Sequence, residues 1–184
     1  MNSPRPGGRV LAVIPARLGS ERLARKPLHP LAGRPLVEWV WRRVAGFDFL
    51  DEVVVATDSD EVADVCARLG APVEMTSPEH ASGTERVAEV AARSSYRDFD
   101  VVVNIQGDEP FVAEAAVRES VGRVLAGWDV GTPAVAIGSA TRHAEAAVFD
   151  PAVIVPEARI AVAAAQPQFL EGVAKQSGTR RHGS

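Results

Sequence analysis

Residues 9–14 have the sequence RVLAVI, a nearly continuous apolar run that ends at Pro15. A run of this kind is typical of a parallel strand that is buried on both faces of its sheet. Similar runs predict further strands at 53–56, 72–75, 101–105 and 130–137, with weaker candidates at 152–155 and 160–165.

Segments with the apolar spacing of an amphipathic helix separate these strands. The first begins at Pro35, a favoured first-turn residue, and ends at Gly46. The next three span 61–69, 82–93 and 113–126. Strands that alternate with helices predict an α/β fold, in which helices cover both faces of a mostly parallel sheet.

The composition is that of an ordinary globular protein. Hydrophobic residues make up 46% of the 184 residues and charged residues 24%, and the formal net charge is −4. This charge excludes a generally basic nucleic-acid binder but leaves room for a local basic site. One cysteine cannot form an intramolecular disulfide, and no apolar run approaches the roughly 18 residues of a membrane span. We expect a soluble cytoplasmic protein that binds neither nucleic acid nor membrane.

The segment after the first predicted strand carries a cluster of cations. Within ten residues it contains Arg17, Arg22, Arg25 and Lys26. Ser20 and a glycine lie between them, so a flexible turn with exposed N–H groups is flanked by cations, which favours a phosphate cradle. The segment has neither the P-loop nor the dinucleotide-binding glycine pattern. A solvated basic loop is the alternative interpretation.

A candidate metal ligand follows the strand at 101–105. Asp108 lies in the sequence QGDEP, at 106–110, directly after that strand. An aspartate at the carboxyl end of a buried strand suits Mg²⁺, which takes few protein carboxylates together with water and phosphate oxygens. A turn acid or a helix cap is the alternative. A cationic loop and an acid at neighbouring strand ends together predict a Mg-nucleotide site.

Two further segments are candidates for walls of that site. Residues 82–86, SGTER, begin a predicted helix, whose free N–H groups can meet a base, a ribose or a phosphate. Thr57 and Asp58 precede another helix; in both segments a simple N-cap is the favoured interpretation. The histidines at 29, 80, 143 and 182 have no metal-ligand spacing, and Cys66 is predicted to lie in the core.

The order and spacing of these motifs resemble the 3-deoxy-manno-octulosonate cytidylyltransferases, also called CMP-Kdo synthetases. The resemblance covers about residues 9–151 and rests on VIPAR at 13–17, KPL at 26–28, GRPL at 33–36, VATD at 55–58, MTS at 75–77, SGTER at 82–86 and VNIQGDEP at 103–110.

The resemblance implies a Rossmann-like nucleotidyltransferase fold and the Mg²⁺-dependent conversion of CTP and Kdo into CMP-Kdo and pyrophosphate, for lipopolysaccharide biosynthesis. It further implies that Gln106 contacts the sugar and that Asp108 binds the metal. The residues that it assigns to CTP are Pro15, Ala16, Arg17, Ser20, Arg22, Lys26, Ser82, Gly83 and Thr84, of which Arg17 and Lys26 are catalytic together with Asp108.

The sequence also departs from the family pattern. Glu21 and the pair Ala24 and Arg25 stand where the family usually has Thr and Pro-Gly. Beyond Asp150 the family's sugar-binding and dimer-forming segments and its second metal ligand are not recognisable. Transfer to another acidic sugar or a phosphonate, and CTP binding without turnover, are therefore alternative hypotheses. Homodimers are the family's habit, and here we expect a monomer or an altered dimer.

These observations predict four parts of the chain. A disordered leader is expected at 1–8, without the apolar segment of a signal peptide, and a nucleotide-binding α/β domain at 9–151. Residues 152–175 are interpreted as a remnant of the family's C-terminal region. Residues 176–184 are expected to form a disordered tail.

Overall fold

The computed structural model describes residues 8–19, 25–128, 130–131 and 159–163. Several predictions lie outside these residues. They are residues 1–7 of the leader, the tail, the strand at 152–155, most of the strand at 130–137, and the site candidates Ser20 and Arg22.

The main sheet is parallel, as predicted. Its strands are β1 (Val10–Pro15), β4 (Glu52–Thr57), β5 (Val73–Met75), β6 (Val101–Ile105), β7 (Val130–Gly131) and β8 (Arg159–Ala163). They lie in the order β5-β4-β1-β6-β8-β7, and all of these pairings are parallel. A separate antiparallel hairpin joins β2 (Pro30–Leu31) to β3 (Arg34–Pro35). Because β1 lies between β4 and β6, its carboxyl end has a loop from a neighbouring strand on either side.

In the described part of the chain, four α-helices cover the sheet: α1 (Leu36–Val44), α2 (Asp60–Leu69), α3 (Gly83–Ala91) and α4 (Glu114–Leu125). Alternating side chains of β1 enter two cores. Ala12 and Ile14 pack with α1, α2 and α4, whereas Leu11 and Val13 pack with α3 on the opposite face. Helices on both faces confirm the predicted layering. Because β1 and β6 are parallel neighbours, the loops that follow them lie at the same carboxyl edge of the sheet.

The predicted helix start at Pro35 is wrong by one residue. Pro35 occupies the N-cap of α1 and belongs to β3, where it pairs with Pro30. The hairpin holds Pro35 in an extended conformation, so the helix begins at Leu36. Cys66 is fully buried in the core, as predicted. In the part of the chain that the structure describes, no helix has the length and the apolar character that crossing a membrane requires.

Candidate functional site

Pro15, the last residue of β1, is the point where three segments meet. A Cβ atom added to Gly107 would overlap the Pro15 carbonyl oxygen, and one added to Gly83 would lie 3.2 Å from Pro15 Cγ. Glycine at both positions therefore allows close backbone approach. As a result, the loop after β6 and the beginning of α3 both lie against the end of β1, where open α/β sheets bind ligands.

The loop that follows β1 is anchored to the end of β4. The N–H of Ala16 donates to the carbonyl of Ala56 at 2.8 Å. The hydroxyl of Thr57 donates to the carbonyl of Ala16 at 2.6 Å, and both residues are buried. Thr57 is therefore a structural anchor of the cationic loop, and Ser59 is the residue that caps α2.

Arg17 and Lys26, the two described cations of the predicted site, have different partners. Arg17 is exposed, and its Nη1 donates to the carbonyl of Ala81 at 2.9 Å. Lys26 forms an ion pair with Asp108, and both side chains are partly exposed. The neighbouring Arg25 pairs with Glu61 on α2. The structure thus brings Lys26 and Asp108 together as predicted, and directs Arg25 away from them.

The beginning of α3 is a well-formed N-terminus. Ser82 is its N-cap, and its hydroxyl accepts a hydrogen bond from the N–H of Glu85 at 3.2 Å. The carboxylate of Glu85 accepts in turn from the N–H of Ala81 at 2.8 Å. The capping interpretation is confirmed. It leaves the first-turn N–H groups of Gly83 and Thr84 without partners inside the helix, as at any helix N-terminus.

Two neighbouring carboxyl groups, Asp108 and Glu109, interact in the QGDEP loop. Burial, together with the charge of Asp108, raises the pKa of Glu109. Gln106 is partly buried, and its carbonyl accepts from the N–H of Glu109 at 3.2 Å. Among the described residues, no three His, Cys, Asp or Glu side chains cluster around a common point. Asp108 therefore offers a hard oxygen donor next to Glu109, a carboxyl group with a raised pKa.

Sequence reasoning missed the buried Arg86. This side chain is fully buried and pairs with Asp58, for which the sequence predicts a cap or a site wall. The burial of Arg86 could have been detected from helical spacing. Arg86 lies four residues before the buried Val90, on the face that α3 turns to the sheet.

Residues 11–152 match the family model described as Cytidylyltransferase. The chain is 54% identical over 129 residues to a 3-deoxy-manno-octulosonate cytidylyltransferase of Gemmatimonas aurantiaca, covering 70% of this chain and 50% of the relative. It is 42% identical over 139 residues to a protein of the same name from Vibrio vulnificus, covering 76% and 53%.

Solved structures of similar proteins have the same fold. A structure described as CMP:2-keto-3-deoxy-manno-octonic acid synthetase complexed with CTP superposes with a TM-score of 0.60 at 35% identity. It covers 64% of this chain and 47% of the other. A cytidylyltransferase from Leptospira borgpetersenii shares the fold, with a TM-score of 0.52 at 24% identity and coverage of 62% and 48%. These likenesses confirm the predicted Rossmann-like nucleotidyltransferase fold.

The matches cover only part of the relatives' length. The chain spans about half the length of the curated relatives that it matches. The matched region contains β1, the cationic loop, the beginning of α3 and the QGDEP loop, so it includes every described residue of the candidate site. On the family model, which covers most of its residues, this chain belongs to the cytidylyltransferase family.

Proposed function

We propose that this chain binds CTP at the carboxyl end of β1 and transfers CMP to 3-deoxy-manno-octulosonate, releasing pyrophosphate. The observation that carries the proposal is the contact of Lys26 with Asp108 beside Pro15, which unites a cation and an acid from two strand ends. The names of the relatives and of the CTP-bound structure support the choice of CTP and Kdo.

Arg17 and Lys26 are the cations that we assign to the phosphates. Both are at least partly exposed, so a phosphate chain can reach them without unfolding the loop. In phosphoryl transfer the protein acts mainly by positioning and by stabilising charge on the phosphate oxygens. We assign Ser20 and Arg22, which lie outside the described residues, to the same loop, where they add a hydroxyl and a third cation.

The donor set fits a divalent cation, and we propose Mg²⁺. Asp108 is 43% exposed, and Mg²⁺ takes one or two carboxylates and completes its shell with water and phosphate oxygens. When bound, Mg²⁺ supplies neutralising charge to the phosphate oxygens. The Lys26 ammonium pairs with the Asp108 carboxylate, so substrate phosphates compete with Asp108 for Lys26.

The other side of Pro15 is proposed to receive the nucleoside. There Ser82, Gly83 and Thr84 present the first turn of α3, whose N–H groups and hydroxyls can bind the base or the ribose. Gln106 lies at the end of β6, and we assign it to the acceptor sugar. The anomeric hydroxyl of Kdo then attacks the α-phosphorus in line, loses its proton, and pyrophosphate leaves.

The experiment that tests the substrates is a product analysis with a panel of ligands. The chain is incubated with Mg²⁺, CTP and one acceptor at a time: Kdo, a sialic acid or a phosphonate. UTP and ATP serve as nucleotide controls. We expect CMP-Kdo as the main product and little reaction with the other pairs. A folded chain that prefers another acceptor or another nucleotide would contradict the proposed substrates.

A further inference from the structure

Arg86 is fully buried beneath the first turns of α3. Its Nη2 pairs with Oδ2 of Asp58 at 3.0 Å, and the Asp58 side chain is 20% exposed. Its Nη1 donates to the hydroxyl of Thr76 and, at 3.4 Å, to the carbonyl of Ser77. No described residue accepts a hydrogen bond from its Nε.

Burying the charge of Arg86 is unfavourable for the stability of the fold. A buried guanidinium loses its hydration, and a single carboxylate does not reliably offset that loss. Apolar side chains of similar volume often stabilise such a position equally well or better. Arg86 therefore contributes more through the positions in which it holds its partners than through stability.

Hydrogen bonds connect Arg86 to the cationic loop. The hydroxyl of Thr76, which accepts from Arg86, donates to the carbonyl of Thr57 at 3.1 Å. The hydroxyl of Thr57 donates to the carbonyl of Ala16 at 2.6 Å. Three consecutive hydrogen bonds thus link a side chain of α3 to the root of the loop that follows β1.

A second connection closes these contacts into a ring. Arg17, the residue after Ala16, donates to the carbonyl of Ala81, which directly precedes the N-cap Ser82. From Ser82 the ring runs through the first turn of α3 back to Arg86. The beginning of α3 is therefore fixed to the cationic loop at two points, Ala81 and Arg86.

We propose that Arg86, together with Asp58, is a positioning residue for the nucleoside end of CTP. This inference rests on the proposed function. Because Arg86 is buried, it acts through the residues that it holds. It keeps the first turn of α3, Gly83 and Thr84 included, in register with Pro15, against which a Cβ at Gly83 would be tightly packed.

The two ends of the proposed CTP site lie on opposite faces of the sheet. A short 3-10 helix, Lys26–Leu28, packs against α1, and its Leu28 joins the core beneath α1, α2 and α4. Arg86 belongs to α3, on the other face. Loss of Arg86 should consequently disturb binding of the nucleoside and leave the contacts of Lys26 with a phosphate chain in place.

The test compares two ligands in three variants. CTP and inorganic tripolyphosphate, each with Mg²⁺, are titrated by calorimetry into the wild-type chain and into Arg86→Lys, Asp58→Asn and Arg93→Lys. For Arg86→Lys and Asp58→Asn we expect the Kd of CTP to rise about tenfold, because the nucleoside contacts lose their fixed geometry. The Kd of tripolyphosphate should rise by a clearly smaller factor, because Lys26 keeps its place and only Arg17, which the same ring holds, is disturbed.

Arg93→Lys is the matched control. Arg93 lies just beyond α3 and pairs with Glu74 and Glu89, so it holds the opposite end of the same helix. It should lower thermal stability without changing the Kd of CTP. Asp58→Asn keeps the side-chain volume at a partly exposed position, so it provides the test even where Arg86→Lys fails to fold.

The outcomes separate the two proposals. Wild-type chain that binds no CTP overturns the proposed function, and this inference with it. Wild-type binding that is unchanged in Arg86→Lys and Asp58→Asn overturns the inference alone. Equal losses of affinity for CTP and tripolyphosphate, or an equal loss in Arg93→Lys, would also contradict it, because they indicate a general structural role.

Discussion

The ammonium group of Lys26 forms an ion pair with the carboxylate of Asp108, across 82 residues of sequence. Lys26 belongs to the cationic loop after β1 and Asp108 to the loop after β6, and these two strands are neighbours in the sheet. Each side chain is more than a third exposed, so the pair is accessible to solvent and to a ligand. An exposed pair of this kind adds little to stability, which leaves both charges available for binding.

Replacing Lys26 by Gln is expected to weaken CTP binding. A hydrogen bond to a charged group contributes about 1.5–3 kcal/mol, so the Kd of CTP should rise roughly tenfold to a hundredfold. Calorimetric titration with CTP and Mg²⁺ measures this change. Arg25→Gln is the matched control, since Arg25 is an adjacent cation that pairs with Glu61 on α2. A comparable loss in Arg25→Gln would indicate a general charge effect and contradict the specific role of Lys26.

Replacing Gly107 by Ala is expected to separate the QGDEP loop from the end of β1. The added Cβ overlaps the carbonyl oxygen of Pro15, which is backbone and cannot move aside. Overpacking of this kind costs about 1–3 kcal/mol of unfolding free energy, and the displaced loop should also lower turnover. Urea unfolding and initial rates report the two effects.

Gly122→Ala provides the contrast for that experiment. Gly122 lies inside α4 on an exposed face, and a Cβ there meets nothing within 4 Å. Alanine in a helix interior should raise the unfolding free energy by about 0.5–1 kcal/mol and leave turnover unchanged. If Gly107→Ala behaves as Gly122→Ala does, the close contact with Pro15 is not a structural requirement.

Glu89 is expected to make stability depend on pH. Burial alone would raise its pKa, but hydrogen bonds from the Ser77 N–H, Arg93 and His80 outweigh burial and lower the pKa of Glu89 to about 2. Because the pKa is lower in the folded chain than its ordinary value of 4.5, Glu89 stabilises the fold above that value. This contribution is lost as the pH falls from 4.5 toward 2.

The measurement for Glu89 is the unfolding free energy of the wild type and of Glu89→Gln at several pH values. The wild type should be the more stable chain at pH 7, and its advantage should shrink steadily on acidification below the ordinary pKa of a glutamate. An advantage that stays constant down to the lowest pH at which both chains fold would show that Glu89 keeps an ordinary pKa.

Cys66 is expected to be unreactive in the folded chain. It is fully buried within α2, and burial raises the pKa of its thiol to about 11. Only the thiolate reacts with a disulfide reagent, so labelling at pH 8 should be slow in the native chain and fast in urea. Rapid labelling of the native chain, at the rate found in urea, would place Cys66 outside the core.

The fold was predictable because its central strands, β1 and β6, are buried on both faces. Runs such as VVVNI at 101–105 consist almost entirely of apolar residues, and the structure places a strand there with the same bounds. That the cationic loop and the loop with Asp108 lie at neighbouring strand ends followed from the rule that ligands bind at the carboxyl edge of such sheets, whereas the pairing of Lys26 with Asp108 is seen only in the structure. Pro35 misled the prediction because its fixed φ suits a helix start and an N-cap alike.

The partners of Arg86 could not be predicted from the sequence. Arginine is rarely fully buried, so the sequence favours an exposed Arg86 in a simple helix-capping segment. Its partners, Asp58 and Thr76, come from two other segments of the chain and meet it only in the folded sheet. Contacts of this kind depend on how α3 docks, which local spacing does not specify.

The most direct test of the proposed reaction is pyrophosphate release by the purified 184-residue chain, supplied with Mg²⁺, CTP and Kdo. The proposal predicts release that requires Kdo as well as CTP, and that is abolished in Asp108→Asn while the variant stays folded. CTP without Kdo serves as the control for hydrolysis. A folded wild-type chain that releases no pyrophosphate, or an Asp108→Asn chain that releases it at the wild-type rate, would contradict cytidylyl transfer at this site.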